Sequence, residues 1–186
     1  AQLETRYAIF GIWRLQKESL KLQASLRQEI VDSEFIVPIP SFGVEVALSN
    51  NLLAKAKVSR NYRLPTFNDR FWNTGGNPDL KAESGWSQEL SIVYHKRVGD
   101  FSFKASQTIY NRNIDNWIMW NPGEGGFWSA SNIATVWSRG AESRLNAEWS
   151  KFKWNISFEG GYDRILSTNE GNLDVSGMDV GEQLLY

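Results

Sequence analysis

The chain has 186 residues, with 20 Lys plus Arg against 21 Asp plus Glu. That balance lacks the basic stripe a general nucleic-acid binder needs. With no Cys there is neither a disulfide framework nor a thiolate metal site. Nine Trp, ten Phe and six Tyr coexist with a mean hydropathy of −0.42, the mixture that a sheet with one apolar and one polar face produces.

The opening "AQLETRYAIFG" carries neither a charged n-region nor an apolar h-region, so no signal peptide is expected there. No run of about 18 apolar residues follows anywhere, which excludes a transmembrane helix but not strands that cross with alternating residues. A first strand is predicted over 4–15 and a second over 20–30, where Leu20, Leu22, Ala24 and Leu26 alternate with polar residues. After a long connection, 31–40, come strands at 41–48, with Phe42, Val44, Val46 and Leu48 in step, and at 52–60. The segment 61–83 breaks the pattern. It holds two prolines, Gly75-Gly76 and four asparagines, yet also Phe67, Phe71 and Trp72.

Alternation resumes over 84–97 with Trp86, Leu90, Ile92 and Tyr94, and over 100–113 with Phe101 and Phe103; Gln88 and Gln107 interrupt the apolar set. A long connection is predicted at 114–131. Strands at 132–149 and 152–166 follow, the latter with Phe152, Trp154, Ile156, Phe158 and Tyr162 in step. A loop at 167–180 leads to a possible ninth strand at "GEQLLY".

Parity tests each hairpin. A two-residue turn at Ser150-Lys151 sets Trp149 against Phe152, and Glu148 against Lys153 on the polar side. Turns at Lys17-Glu18, Ser49-Asn50-Asn51 and Val98-Gly99 keep the apolar residues on one face as well, and a one-residue slip would break each. Short turns and long connections alternate strictly, so an up-and-down meander puts the short turns on one edge and the long connections on the other. Outer-membrane barrels have this asymmetry, with aromatic girdles at the interfaces. The expected class is all-β, an antiparallel up-and-down meander of about eight strands forming part of a large transmembrane β-barrel. A soluble barrel or sandwich that binds a glycan or an apolar ligand is the alternative, since its strands alternate too.

The irregular segment holds "RLPTFND" and "GNPDLKAE". This pair resembles the barrel of TonB-dependent outer-membrane receptors, in which Arg-x-Pro-Thr ends one strand and Gly-Asn-Pro-x-Leu-x-x-Glu opens the next. Arg63, Pro65, Thr66, Gly76, Asn77, Pro78, Leu80 and Glu83 match, and Ala82 stands where the family commonly has Pro. "YNRNIDNWIMW" and "NIATVWSRGAE" look like the cobalamin-receptor branch of Bacteroides-type bacteria. The physical reading of the motif is punctuation: Pro65 and Pro78 remove donors and the glycines allow left-handed backbone, so one strand stops and the next starts at a set angle. The other reading is a contact between Arg63 and a plug domain.

The resemblance implies a non-enzymatic transporter in the outer membrane of a Gram-negative bacterium, importing cobalamin or another corrinoid, or else a siderophore or haem. It implies the TonB complex as partner through a plug domain, with outer-membrane lipid around the barrel and no cofactor. Residues 1–186 are then a partial barrel domain with the plug and remaining strands absent, since a closed barrel of this family has about 22 strands. Such a piece is expected to bury its apolar face by completing a larger barrel, curling or dimerising.

Chemistry elsewhere is sparse. His95 has no second His or Cys to complete a site. Asp69, Asp79 and Asp115 have the chemistry to bind calcium but lack EF-hand spacing, and solvated charge is the default reading. "NPGEGG" has no Lys-Ser/Thr after it and is a loop tip. Trp72, Trp117, Trp120, Phe127 and Trp128 are the candidate ligand-binding residues, grouped on the long-connection edge, with an interfacial belt as the alternative for Trp117 and Trp120.

Overall fold

Residues that alternate apolar and polar give a pleated strand two unlike faces, and most of the chain has this pattern. The computed structural model describes residues 3–122 and 126–170, with backbone alone at 133 and 134. Its strands are β1 (Arg6–Lys17), β2 (Leu20–Val31), β3 (Glu34–Phe35), β4 (Ile39–Ser49), β5 (Leu52–Arg63), β6 (Glu83–Val98), β7 (Phe101–Pro122), β8 (Trp128–Lys151) and β9 (Trp154–Asn169). One short helix, α1 (Phe67–Phe71), lies between β5 and β6. The strands form one nine-stranded sheet in the order β1-β2-β4-β5-β6-β7-β8-β9, with β3 paired to β2. Apart from β3, neighbours in space are neighbours in sequence, as in an up-and-down meander.

The observed registers keep the expected faces. In β4–β5, Val46 opposes Ala54 and Val44 opposes Ala56, as the Ser49-Asn50-Asn51 turn requires, with a bulge between Ala47 and Ser49. Leu20 and Leu22 oppose Val46 and Val44 across β2–β4. In β1–β2 the turn is Glu18-Ser19, with Lys17 opposite Leu20, one residue later than expected. Phe152 and Lys153 form the β8–β9 turn, so the expected pairs Trp149–Phe152 and Glu148–Lys153 do not form. Phe152 has φ 53° and is almost fully exposed. Moving a two-residue turn by one or two positions shifts the register by two or four residues, so the apolar sets of the strands stay on their predicted face. The β6–β7 turn is Gly99-Asp100, where Gly99 supplies the φ of 57° that a tight hairpin turn calls for.

Two contact units divide the chain: residues 1–59, 88–110 and 140–164, and residues 60–87, 111–139 and 165 onward. The first unit holds all four short turns. Backbone bonds link them, from Ala47 N–H to Ser19 O at 2.7 Å, His95 N–H to Asn51 O at 2.8 Å, and Ser150 N–H to Asp100 O at 2.9 Å. The shared edge expected for the short turns is therefore present. Asn51 Nδ2 also donates to the His95 carbonyl at 2.7 Å, which gives the segment around this lone His a structural setting. On the polar face of this unit a cavity of about 450 Å³ is lined by Arg14, Lys21, Glu45, Lys55, Lys57 and Glu89 among others.

The long connections differ from expectation. Within 31–40, Asp32 and Ser33 have φ 50° and 73° and turn the chain into β3. The expected loop 114–131 is mostly strand: β7 runs 22 residues and β8 runs 24. Asn116 takes the left-handed conformation, φ 55°, inside β7, and lets an Asn-containing stretch stay paired. β7 and β8 are both about twice the length of roughly 9–11 residues with which a tilted strand would span a bilayer. Residues 167–169 belong to β9, and the segment "GEQLLY" lies outside the described residues.

Candidate functional site

The segment between β5 and β6 is built around two carboxylates and one guanidinium. Arg63, at the end of β5, donates from Nε to Glu83 Oε2 at 2.8 Å, and its Nη2 donates to Glu83 Oε1. Glu83 is 5% exposed and opens β6; its Oε1 also accepts the Ile118 N–H of β7 at 2.8 Å. One side chain thus ties the end of β5, the start of β6 and the C-terminal part of β7.

Asp69 forms the second node. Thr66 caps α1, its Oγ1 accepting the Asp69 N–H at 3.1 Å, while Asp69 Oδ2 accepts the Thr66 N–H at 2.9 Å and its hydroxyl at 2.8 Å. This is a capping box with Asp in the third helical position. Oδ1 accepts the Trp120 indole N–H at 3.0 Å, and Arg63 Nη1 stands 3.8 Å from Oδ2. Burial pushes the Asp69 carboxyl up; the Thr66 bonds, the Trp120 bond and the Arg63 charge together outweigh burial, so it titrates below the ordinary range.

The rest of the motif completes the fastening. Asn77 N–H donates to Asp69 O at 2.8 Å, and Asn77 Oδ1 accepts the Asp79 N–H at 3.0 Å, an Asx turn ahead of Leu80. Leu80 packs with Ile118, Ala130 and the ring of Trp120. Gly75 lies so close to β8 that a Cβ there would sit 1.8 Å from Trp128 O, and a Cβ on Gly76 would sit 2.5 Å from Trp72 N. Ala130 N–H donates to Gly75 O at 2.8 Å. Asn132 of β8 accepts the Lys81 N–H at 2.8 Å and donates to Lys81 O at 3.0 Å.

Residues 2–185 match the family described as "TonB dependent receptor-like, beta-barrel". The chain belongs to this family. Among curated relatives, the vitamin B12 transporter BtuB of Vibrio vulnificus is 31% identical over 121 residues, covering 59% of this chain and 19% of the relative. BtuB of Photobacterium profundum is 32% identical over 123 residues, covering 62% and 20%. The hemoglobin and hemoglobin-haptoglobin-binding protein A of Haemophilus influenzae is 26% identical over 108 residues, covering 54% and 10%. The chain thus spans about a fifth of the length of the two BtuB relatives. Among solved structures, the copper transporter OprC has a TM-score of 0.71 at 17% identity, over 89% of this chain and 29% of that one. The siderophore receptor PirA of Pseudomonas aeruginosa has a TM-score of 0.65 at 17% identity, over 89% and 39%. At that identity the likeness shows the fold.

Within this outer-membrane β-barrel family, the chain's aromatic candidates fall into two groups. Trp72, Phe127 and Trp128 are 58%, 64% and 59% exposed. Trp120 instead packs on the Leu80 cluster, and Trp117 packs with Met119 against Val136, which is 1% exposed. Trp117, Trp120 and Trp128 stand on strands, where loop positions were expected. Asp69, expected as solvated charge, is 7% exposed and fully engaged. Asp115 accepts the Thr135 hydroxyl at 2.8 Å. Among the described residues no group of three or more His, Cys, Asp or Glu could hold a metal ion. Helix α1 and the Asp69–Trp120 bond were missed in the sequence, although the Thr66-x-x-Asp69 spacing is a helix-start signal.

Proposed function

We propose that the receptor containing this chain imports a scarce, bulky ligand across the outer membrane, and that the ligand is a corrinoid such as cobalamin. The observation that carries this reading is the pair of BtuB relatives at 31% and 32% identity. Trp72, Phe127 and Trp128 offer flat, exposed surface suited to a large ring system at small cost in side-chain entropy. Transport needs no bond to be made or broken: ligand binds on the long-connection side, the plug domain of the intact receptor moves under force from the TonB complex, and the ligand passes through. The motif residues Arg63, Thr66, Asn77, Leu80 and Glu83 hold the 64–82 connection so that Trp72 keeps a fixed position. A haem or iron-chelate receptor is the second reading, favoured by the hemoglobin-binding relative.

Titration of the intact receptor in detergent with cyanocobalamin, haem and a ferric siderophore tests the proposal. Cobalamin should bind at least tenfold more tightly than either iron ligand, and the reverse order would overturn the corrinoid assignment. Alanine at Trp72, Phe127 and Trp128 should each weaken cobalamin binding without loss of folded barrel. Unchanged affinity in all three would remove the rings from the binding surface.

A further inference from the structure

Two rows of paired residues cross the polar face of the short-turn unit. In the first, Arg14 opposes Gln23, Gln23 opposes Gly43, and Gly43 opposes Lys57. The second runs Gln16, Lys21, Glu45, Lys55 across the same four strands. Both rows line the cavity of about 450 Å³. They differ in charge balance. In the second row Glu45 stands between two lysines and pairs with Lys55 at 3.7 Å. In the first row no anion separates Arg14 from Lys57, and the place between Gln23 and Lys57 holds no side chain, because residue 43 is glycine.

The backbone does not require glycine there. The φ of Gly43 is not in the left-handed region, and a Cβ built on it meets only Ala56 O at 3.8 Å, an ordinary contact. The glycine instead leaves an opening in a face that otherwise carries long side chains. Its direct cross-strand neighbours are Gln23 and Lys57, and its diagonal neighbours include Lys21 and Lys55. Such positions lie about 5 Å and about 8 Å away on an antiparallel pair, so one opening is within reach of all four side chains. Three ammonium groups and the Glu45 carboxylate surround it, an excess of two positive charges. Lys21 and Lys57 are exposed and form no ion pair among the described residues. Gln23 Oε1 accepts the Arg14 Nε–H at 3.0 Å, which uses the acceptor end of the amide and leaves its N–H donors unspent. The cavity's other carboxylate, Glu89, stands on β6, beyond β5.

We infer that the opening over Gly43 binds a dianionic phosphoryl group, either as the free ion or carried by a small solute. Like charges set together on one face of a sheet repel, and an anion between them relieves that cost. Lys57 and Lys21 supply the two uncompensated charges, Lys55 stays on Glu45, and Gln23 donates from its amide. Lysine binds phosphate as a point charge with three donors. Two excess charges match a dianion, whereas a monocarboxylate would neutralise half of them. The polar face of an outer-membrane barrel lines its interior, where a solute reaches the site from water. None of these residues belongs to the exposed aromatic group, so the site stands whichever ligand the receptor imports.

Equilibrium dialysis of the intact receptor, in a maltoside detergent and phosphate-free buffer, tests the site with inorganic phosphate, glycerol phosphate and acetate. At about pH 8 both phosphates are dianions, since the second pKa of a phosphate ester is about 6. One saturable phosphate site is expected, with no displacement by an equal concentration of acetate. Tighter binding of glycerol phosphate assigns the site to a phosphorylated solute, and tighter binding of inorganic phosphate assigns it to the free ion; either upholds the proposal. Lys57→Gln and Lys21→Gln should each weaken binding about tenfold, the low end for loss of a bond to a charged group. Both side chains are exposed, so the barrel should fold as before, and unchanged urea unfolding checks this. Gly43→Glu, which sets a carboxylate in the opening, should weaken binding far more than the uncharged Gly43→Gln of the same size. Absence of saturable binding to the folded receptor, competition by acetate as strong as by phosphate, binding unaffected in the folded Lys21→Gln/Lys57→Gln double variant, or equal effects of the two Gly43 substitutions would overturn the proposal.

Discussion

The two contact units solve opposite packing problems. In the unit of short turns, large apolar side chains are exposed: Leu90 is 48%, Ile92 49%, Ile156 57% and Phe158 59% accessible. Among the described apolar residues that are buried, Leu80, Ile114, Ile118, Ala130 and Val136 all belong to the other unit, with only Val31 in the first. A sheet solvated by lipid needs only period-two alternation and matched registers, because its backbone bonds are satisfied between strands. The 64–82 connection has no such ladder. It depends on side-chain acceptors, glycines that fit beneath backbone carbonyls, and a small core. The first unit should therefore tolerate substitution, and the second should not.

The largest expected effect is Gly85→Ala. A Cβ there would lie 1.8 Å from Asn113 O and 2.8 Å from Ile114 Cα, both backbone atoms that cannot swing aside. The change should cost at least about 3 kcal/mol, the upper range for overpacking, read as loss of folded barrel in urea titrations of the receptor in lipid vesicles. Retention of wild-type stability would show that β6 and β7 are less closely apposed than described. Next is Glu83→Ala, which leaves the Ile118 N–H without its acceptor and Arg63 without its main partner. Arg63 is nearly half exposed and so partly screened. The loss should be about 2–3 kcal/mol, with new protease cleavage between residues 64 and 82. An uncleaved variant would mean that the connection is held by other contacts.

Trp120→Phe separates two roles for one ring. It keeps the packing on Leu80 and Ile118 but removes the bond to Asp69. A hydrogen bond to a charged group is worth about 1.5–3 kcal/mol, and the lower end is expected here because Thr66 continues to satisfy the carboxylate. If ligand binding by the intact receptor falls while protease resistance is unchanged, Trp120 touches ligand and is not a fastening. The same node sets a pH dependence. The folded pKa of Asp69 is depressed, so its stabilisation is fully present above the ordinary carboxylate range and is lost as pH falls through the folded value. Cleavage of the 64–82 connection should rise below about pH 4, and Asp69→Asn should abolish that rise. A rise that persists in Asp69→Asn would assign it to another carboxylate.

Legibility follows the same division. The faces of β1, β2, β4, β5 and β6 were readable because a strand's period is two and an even register error moves no residue to the other face. Exact turns were not: Lys17-Glu18 and Glu18-Ser19 are equally polar, and Phe152, in step with Trp154 and Ile156, reads as strand although it turns with φ 53°. The length of β7 was hidden because Asn116, Asn121 and Pro122 read as loop residues; pairing with the neighbouring strands overrides that propensity. In the connection, the motif showed that residues 61–83 mattered. It did not reveal that Trp120, some fifty positions away, completes the Asp69 node, because only the fold brings the indole there.

The smallest effect belongs to the first unit and is the most direct test of the comparison. Gly11 lies in β1 opposite Leu26, and a Cβ built on it meets nothing within 4 Å. Its φ is not in the left-handed region, so an L side chain fits the backbone without strain. Glycine inside a strand costs conformational entropy of roughly 0.5–1 kcal/mol relative to alanine. Gly11→Ala should therefore leave stability unchanged within about 0.5 kcal/mol, or raise it slightly, in the urea titration that exposes Gly85→Ala. Both substitutions add one methyl group to a strand of the same sheet, so chemistry and assay are held constant and only the surroundings differ. A loss of more than about 1 kcal/mol at Gly11 would mean that a further element lies against β1 in the intact receptor. Tolerance in the short-turn unit would then extend only to positions facing lipid.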